Sequence, residues 1–312
     1  MSHWSRAVLG CALLGLAGSA RGQLPDGARA AVLMASRYEV LPNLVYRVAS
    51  GRELKLDVYR PREATGPVPV VLFIHGGGWV AGNKEAAALL LLPYLAMGWA
   101  AVNVEYRLAE VAPAPAAMED CRCALHWIGR NAKAYAFDTS KVVITGGSAG
   151  GHLALATAMV PPAAGYDNAC AAEDDPSWTG PWADPAPKVV AVVNWFGITD
   201  VAAMLQGPQI RSYAVSWLGA QSDREGLAKQ VSPISWVRAG LPAVLTIHGD
   251  ADPVVPYAQA TRLHEALTKA GVRNQLLTVS GGKHGRFSAE QNLVAYETIQ
   301  RFLASLGLDA VR

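Results

Sequence analysis

"VITGGSAGGHLAL", residues 143–155, decides the reading of this chain. Gly146, Gly147, Gly150 and Gly151 crowd Ser148 between a strand-like run and a helix-like one. A glycine inside a regular element costs about 0.5–1 kcal/mol against alanine, so the cluster must serve a geometry that other residues cannot supply. The Gly-x-Ser-x-Gly pattern at 146–150 falls where a buried strand ends and a helix starts, which is the place of a nucleophile elbow. There the serine is forced to a positive φ, a strain of about 1–3 kcal/mol. Gly146 and Gly150 let strand and helix approach closely enough to hold it. A phosphate-binding loop is the rival, but no Gly-Lys-Ser/Thr or GxGxxG follows.

Outward from the elbow, strands and helices alternate. "RELKLDVYR" (52–60) alternates apolar and polar residues, as a half-buried antiparallel strand does. "VPVVLFI" (68–74), "WAAVNVEY" (99–106), "KVVIT" (141–145), "KVVAVVNWF" (188–196), "AVLTIH" (243–248) and "QLLTV" (275–279) read as further strands, the first of them buried on both faces. Helices are expected from Asn83 to Met97, from Pro113 to Ala136, after Ser148 to Pro161, from Tyr257 to Ala270 and from Ala289 onward. The order predicts one α/β domain over residues 23–312, with a mainly parallel sheet covered on both faces. Residues 161–187 break the rhythm and read as an ordered excursion.

Composition narrows the class. Of 312 residues, 51% are hydrophobic and 17% charged, which suits a large dry core. No apolar run reaches 18 residues, so no membrane span is expected. Residues 1–22 read as a secretory signal peptide: a positive start, the apolar "AVLGCALLGLA" and the small residues of "GSARG", with cleavage after Ala20 or Gly22. Cys11 is a weaker candidate for a lipid anchor, because the apolar core continues past it. Loss of Arg6 and Arg21 from 27 basic residues leaves 25 against 25 acids. Such a surface offers nucleic acid or an anionic membrane little attraction.

Cys121 and Cys123 lie two apart on a helix, about 200° around it, and cannot chelate one metal together. Met118, Cys121, Leu125 and Ile128 share an apolar face, which leaves Cys123 as the partner for Cys170 if a disulfide forms. Three free thiols are the alternative.

A serine hydroxyl needs a base. His284, in the glycine-rich "SGGKHGRF" after the last strand, is the candidate. His126 and His264 fall within helices, His75, His152 and His248 read as structural, and His3 leaves with the leader. Of two carboxylates in "HGDADPVVP" (248–256), Asp252 is expected to orient the imidazole and Asp250 to bind turn amides. "HGGGW" (75–79) supplies backbone N–H groups free of side chains, so Gly77, Gly78 and Ala149 are the expected oxyanion hole. Trp79, Trp178 and Trp182 are candidates to stack on a phenolic acyl group or a sugar, with plain packing as the alternative.

"HGGGW", "NVEYRL", "GGSAGGHLA" and "HGDADPVVP" together resemble the α/β-hydrolase superfamily, on its HGGG-bearing, hormone-sensitive-lipase-like branch. Within it they are most similar to secreted bacterial esterases of the bifunctional feruloyl and acetyl-xylan type. The likeness runs from about Leu44 to Leu303. It implies a Ser148–Asp252–His284 triad, hydrolysis of small or polysaccharide-linked carboxylic esters and no cofactor. The short segment before the first strand implies a pocket more open than in the lipase-like relatives. An arylformamidase-type amide hydrolase and a non-catalytic binding module are the alternatives; a propeller-bearing peptidase lacks room.

Overall fold

A computed structural model describes residues 24–170, 187–207 and 210–311. The expected leader at 1–22 lies outside them, as do residues 171–186 of the excursion. Helix α1 (Asp26–Arg37) buries none of its side chains. Residues 37–312 form a separate compact unit.

That unit is built on an eight-stranded sheet in the order β1-β2-β4-β3-β5-β6-β7-β8. Strands β1 (Tyr38–Ala49) and β2 (Arg52–Pro61) form an antiparallel hairpin, and β2 runs antiparallel to β4 (Ala100–Val104). From β4 onward, β3 (Val68–Ile74), β5 (Phe137–Gly147), β6 (Val189–Trp195), β7 (Ala243–Gly249) and β8 (Asn274–Val279) are all parallel. This is the mainly parallel sheet the residue pattern predicts, in the α/β-hydrolase arrangement the resemblance implies.

Every residue of β3 and β7 is buried. Alternation sorts their side chains: Val70, Leu72 and Ile74 join one core with Met118 and Leu153, while Val71 and Phe73 are buried outside that cluster. On the first face pack α3 (Ala116–Arg130) and α5 (Ala149–Met159). Against the strands also pack α2 (Leu92–Ala96) at β4, α8 (Ala258–Lys269) at β8, and α9 (Ala289–Ala304) at β7 and β8. Short helices α4 (Ala132–Tyr135), α6 (Ser212–Leu218) and α7 (Arg224–Gln230) lie in the connections.

Two expected helices are shorter than their sequence suggested. Residues Glu85–Leu91 form a 3₁₀ stretch and only Leu92–Ala96 are α-helical, because Pro93 lacks an N–H and cannot continue a helix begun upstream. The helix expected from Pro113 starts at Ala116, and Arg130 ends it before the separate turn of α4. Cys123 of α3 is joined to Cys170 by a disulfide, and Cys121 stays a buried thiol.

Strand order places the site. After β3 the chain moves outward to β4, then returns past β3 to β5, so the loops leaving β3 and β5 diverge. A crevice opens at the carboxyl ends of such a pair. Ile74 pairs with Gly146 there, setting the HGGGW loop beside Ser148.

Candidate active site

Ser148 sits between β5 and α5 with φ 57° and ψ −120°, the strained turn its neighbours imply. A Cβ on Gly150 would stand 2.1 Å from the Ile74 carbonyl oxygen, and one on Gly146 would stand 2.4 Å from the same atom. No larger residue fits either place. The glycines thus allow strand and helix to touch, and the serine is held at their junction.

The imidazole comes from three strands away, about 14 Å at ordinary strand spacing. His284, in the loop after β8, reaches back across the sheet edge. Its Nδ1–H donates to Asp252 Oδ2 at 2.7 Å, and its Nε2 accepts the Ser148 hydroxyl at 2.9 Å. A buried carboxylate only accepts, so it fixes the proton on Nδ1 and leaves Nε2 free as a base. The imidazole meets the Phe196 ring in a T-shaped contact, ring centres 4.8 Å apart.

Asp252 is fully buried on its side chain. Burial pushes its carboxyl pKa up, but bonds from His248, His284 and the Val254 and Val255 amides outweigh that and hold it well below the usual carboxylate range. Asp250 is committed elsewhere, its Oδ1 accepting the Gly281 N–H at 2.7 Å. The adjoining Ala251 N–H donates to the Gly282 carbonyl at 3.1 Å. The loop bearing His284 is thereby tied to the loop bearing Asp252.

In the HGGGW loop, Gly77 and Gly78 have φ values of 124° and 62°. A Cβ on Gly77 would stand 1.9 Å from the Ala81 carbonyl oxygen, so the tight turn excludes any side chain. Gly76 lies against Ser148, its ideal Cβ position 3.6 Å from the serine Cβ. Among the described residues, the N–H groups of Gly77, Gly78 and Ala149 have no backbone partner. These are the unpaired donors that an oxyanion requires. His75 orients the loop, with Nδ1–H donating to the Gly76 carbonyl at 2.8 Å and its ring stacked on Tyr106.

Trp79 corrects an expectation. It does not face substrate but is fully buried, at φ 61°, stacked on Trp217 with ring centres 4.2 Å apart. Its positive φ turns the indole beneath the loop, where Nε1–H donates to His152 Nδ1 at 3.2 Å. His152 in turn donates from Nε2 to the Val231 carbonyl at 2.7 Å, and burial lowers its pKa to about 4. Trp178 and Trp182 lie outside the described residues.

A cleft of about 540 Å³ runs over Ser148 and His284, between the HGGGW loop, Phe196, Tyr213 and Val254. His126, Asp167 and Cys170 also cluster, away from the cleft. Their sulfur is committed to the disulfide, and Asp167 takes a two-pronged bond from Arg122 at 2.5 and 2.6 Å. That set is not a free ligand cage.

A family profile described as BD-FAE matches residues 56–267, well over half of the sequence. The chain belongs to the BD-FAE family. A second profile, described as TAP-like protein, matches residues 226–311. The BD-FAE match takes in Ser148 and Asp252, and the TAP-like match takes in Asp252 and His284. Esterase LipQ of Mycobacterium tuberculosis is 30% identical over 227 residues, covering 71% of this chain and 51% of LipQ. The chain spans about half the length of such curated relatives. The apo form of Thermogutta terrifontis esterase 2 superposes with a TM-score of 0.71 at 27% identity, covering 88% of this chain and 97% of that one. That esterase has also been solved phosphorylated by paraoxon and with propionate or butyrate bound. A truncated carbohydrate esterase from gut microbiota superposes with a TM-score of 0.67 at 29% identity, covering 86% and 97% of the two chains.

Three neighbours of this BD-FAE site escape a reading of the sequence. His248, whose Nε2–H donates to the Val255 carbonyl at 3.0 Å, brings that nitrogen to 3.4 Å from Asp252 Oδ2 and so sets a second imidazole beside the carboxylate, though the residue reads only as a strand end. Phe196, at φ 41°, walls His284, and Trp217 backs Trp79. A positive φ in a phenylalanine and a stack between distant tryptophans leave no mark in local pattern.

Proposed function

We propose that this BD-FAE member is an exported serine carboxylesterase that hydrolyses acetyl or feruloyl esters of plant cell-wall carbohydrate. The observation that carries the reading is the single line of bonds from Ser148 Oγ through His284 to Asp252. His284 Nε2 takes the hydroxyl proton as Ser148 Oγ attacks the ester carbonyl carbon. Asp252 stabilises the imidazolium that results. The carbonyl oxygen gathers negative charge against the N–H groups of Gly77, Gly78 and Ala149. As the tetrahedral centre collapses, the carbon–alkoxy bond breaks and the alcohol departs with the proton from Nε2. Water repeats the sequence on the acyl-serine and frees the acid.

The esterases among the relatives support the ester as the bond cleaved, and the carbohydrate esterase neighbour supports a sugar as the alcohol. Phosphorylation of the Thermogutta enzyme by paraoxon suits a serine nucleophile, and its propionate and butyrate complexes suit short acids. Export is supported by the Cys123–Cys170 disulfide, since such bonds persist in oxidising compartments. A fluorophosphonate probe should label the wild-type protein once and leave Ser148→Ala unlabelled, with loss of nitrophenyl acetate hydrolysis. Labelling of the variant, or full activity in it, refutes the assignment.

A further inference from the structure

Beside the open cleft lies a smaller cavity of about 130 Å³. Phe73, Tyr94, Trp195, Phe196, Phe287 and Tyr296 line it, so its walls are mostly apolar. Phe73, Leu90, Gly147 and Phe196 border both spaces, which makes the cavity a side pocket of the cleft. Gly147, one of the four, is the residue before Ser148. Its polar groups include the Asn292 amide, whose Nδ2–H donates to the Phe287 carbonyl at 3.3 Å, and the Tyr296 hydroxyl, which burial pushes up to a pKa of about 12. No lining residue carries charge at neutral pH.

We infer that this aromatic side pocket holds the acyl group of the ester and limits it to about six carbons or one ring. The inference rests on the esterase reading above and deepens it. The two halves of an ester leave a serine hydrolase differently. The alcohol departs in the first half-reaction and must escape before water can replace it, so it suits the open cleft. The acyl group is bonded to Ser148 from the first half-reaction until water frees it in the second, so a pocket beside the cleft can hold it without slowing release of the alcohol. Size sets the limit: an apolar cavity of about 150 Å³ holds one benzene ring. Butanoyl to hexanoyl chains, or a benzoyl ring, fill such a space. A phenylpropenoyl chain, with a ring and three further carbons, overruns it. Of the two acyl classes proposed above, the short one fits.

The test is the acyl-length profile of kcat/KM for nitrophenyl esters from acetyl to decanoyl, beside an alcohol series with the acetyl group held fixed. From acetyl to the hexanoyl range each methylene should raise kcat/KM about three- to fourfold. Decanoyl should then fall at least about tenfold below the optimum. Tyr296→Ala, which enlarges the cavity at a residue that does not line the cleft, should move the optimum to longer acyl chains by two or more carbons. Gly147→Ala narrows the border shared with the cleft, because its Cβ would stand 3.3 Å from the Phe196 ring, and should lower the hexanoyl-to-acetyl ratio about tenfold. The second variant keeps the test open if the first does not fold. A flat acyl profile, or variants that shift the alcohol series instead, overturns the pocket assignment and leaves the esterase standing. Wild-type protein that hydrolyses no ester overturns both.

Discussion

The indole N–H of Trp79 and the imidazole of His152 join the loop after β3 to the helix after β5 through one 3.2 Å bond. Gly78, an oxyanion donor in the proposed mechanism, precedes Trp79, and His152 lies one helical turn beyond Ser148, whose carbonyl accepts the His152 N–H at 3.0 Å. The pair therefore sets the spacing between nucleophile and loop. Trp79→Phe keeps the stack on Trp217 but leaves a buried acceptor unpaired, at a cost of about 1–3 kcal/mol. The expected result is a lower melting temperature by several degrees and a kcat reduced about tenfold with KM nearly unchanged. Steady-state kinetics on folded variant protein, checked by circular dichroism, decide it; a pure rise in KM contradicts the positioning role.

The two aspartates of the β7 loop should separate cleanly. Asp252→Asn removes the acceptor that fixes the imidazole tautomer and should lower kcat about 10⁴-fold. Asp250→Asn alters the side chain that accepts the Gly281 N–H and should cost less than about tenfold. Single-turnover rates with nitrophenyl acetate measure both, and the reverse order assigns the orienting carboxylate to Asp250.

Stability should fall with acidity below neutral pH. His152 has a pKa lowered to about 4 in the folded protein, whereas an unfolded histidine titrates near 6.5. Between these values the unfolded chain binds a proton that the native chain refuses, so unfolding is favoured as pH drops through the window, by about 3 kcal/mol in all. Below pH 4 this group adds no further loss. Asp252 acts lower down: its folded pKa is depressed, so its stabilising effect is present above the unfolded carboxylate value and is lost as pH falls beneath it. Urea midpoints at pH 7.5 and 4.5 test the first effect. His152→Gln should start less stable and show a flatter dependence.

The Cys123–Cys170 bond closes a loop with a separation of 47 residues. Chain-entropy arguments give such a cross-link about 4 kcal/mol. Cys170→Ser should lower the urea midpoint accordingly, and added reductant should then lower it no further. Wild type and Cys121→Ser, which alters only a buried unpaired thiol, should both lose stability in reductant. Equal reductant sensitivity in all three proteins would count against the bond as a stabiliser.

Much of the fold is legible because its signals are local. β3 and β7 are unbroken apolar runs, and the Ser148 elbow declares itself by glycines whose necessity the Ile74 carbonyl explains. The hairpin strand β1 is not legible: Pro42 interrupts it, Asn43 takes φ 59°, and its register with β2 shifts between Leu41 and Leu44. Pro93, by contrast, is a local signal that outweighs the run of leucines before it. At the site, the order serine, aspartate, histidine names the residues that meet at 2.7 and 2.9 Å. Where the indole of Trp79 goes depends on Trp217, 138 positions further on, and no periodicity carries that.

A Cβ on Gly249 would stand 2.1 Å from the Gly282 carbonyl oxygen, so the backbones after β7 and β8 are in contact. The reach of the histidine is consequently dictated by its neighbour's turn as much as by its own. Anyone recombining this chain with its kin should transplant those two connections as one cassette, since either alone would arrive with the wrong stance.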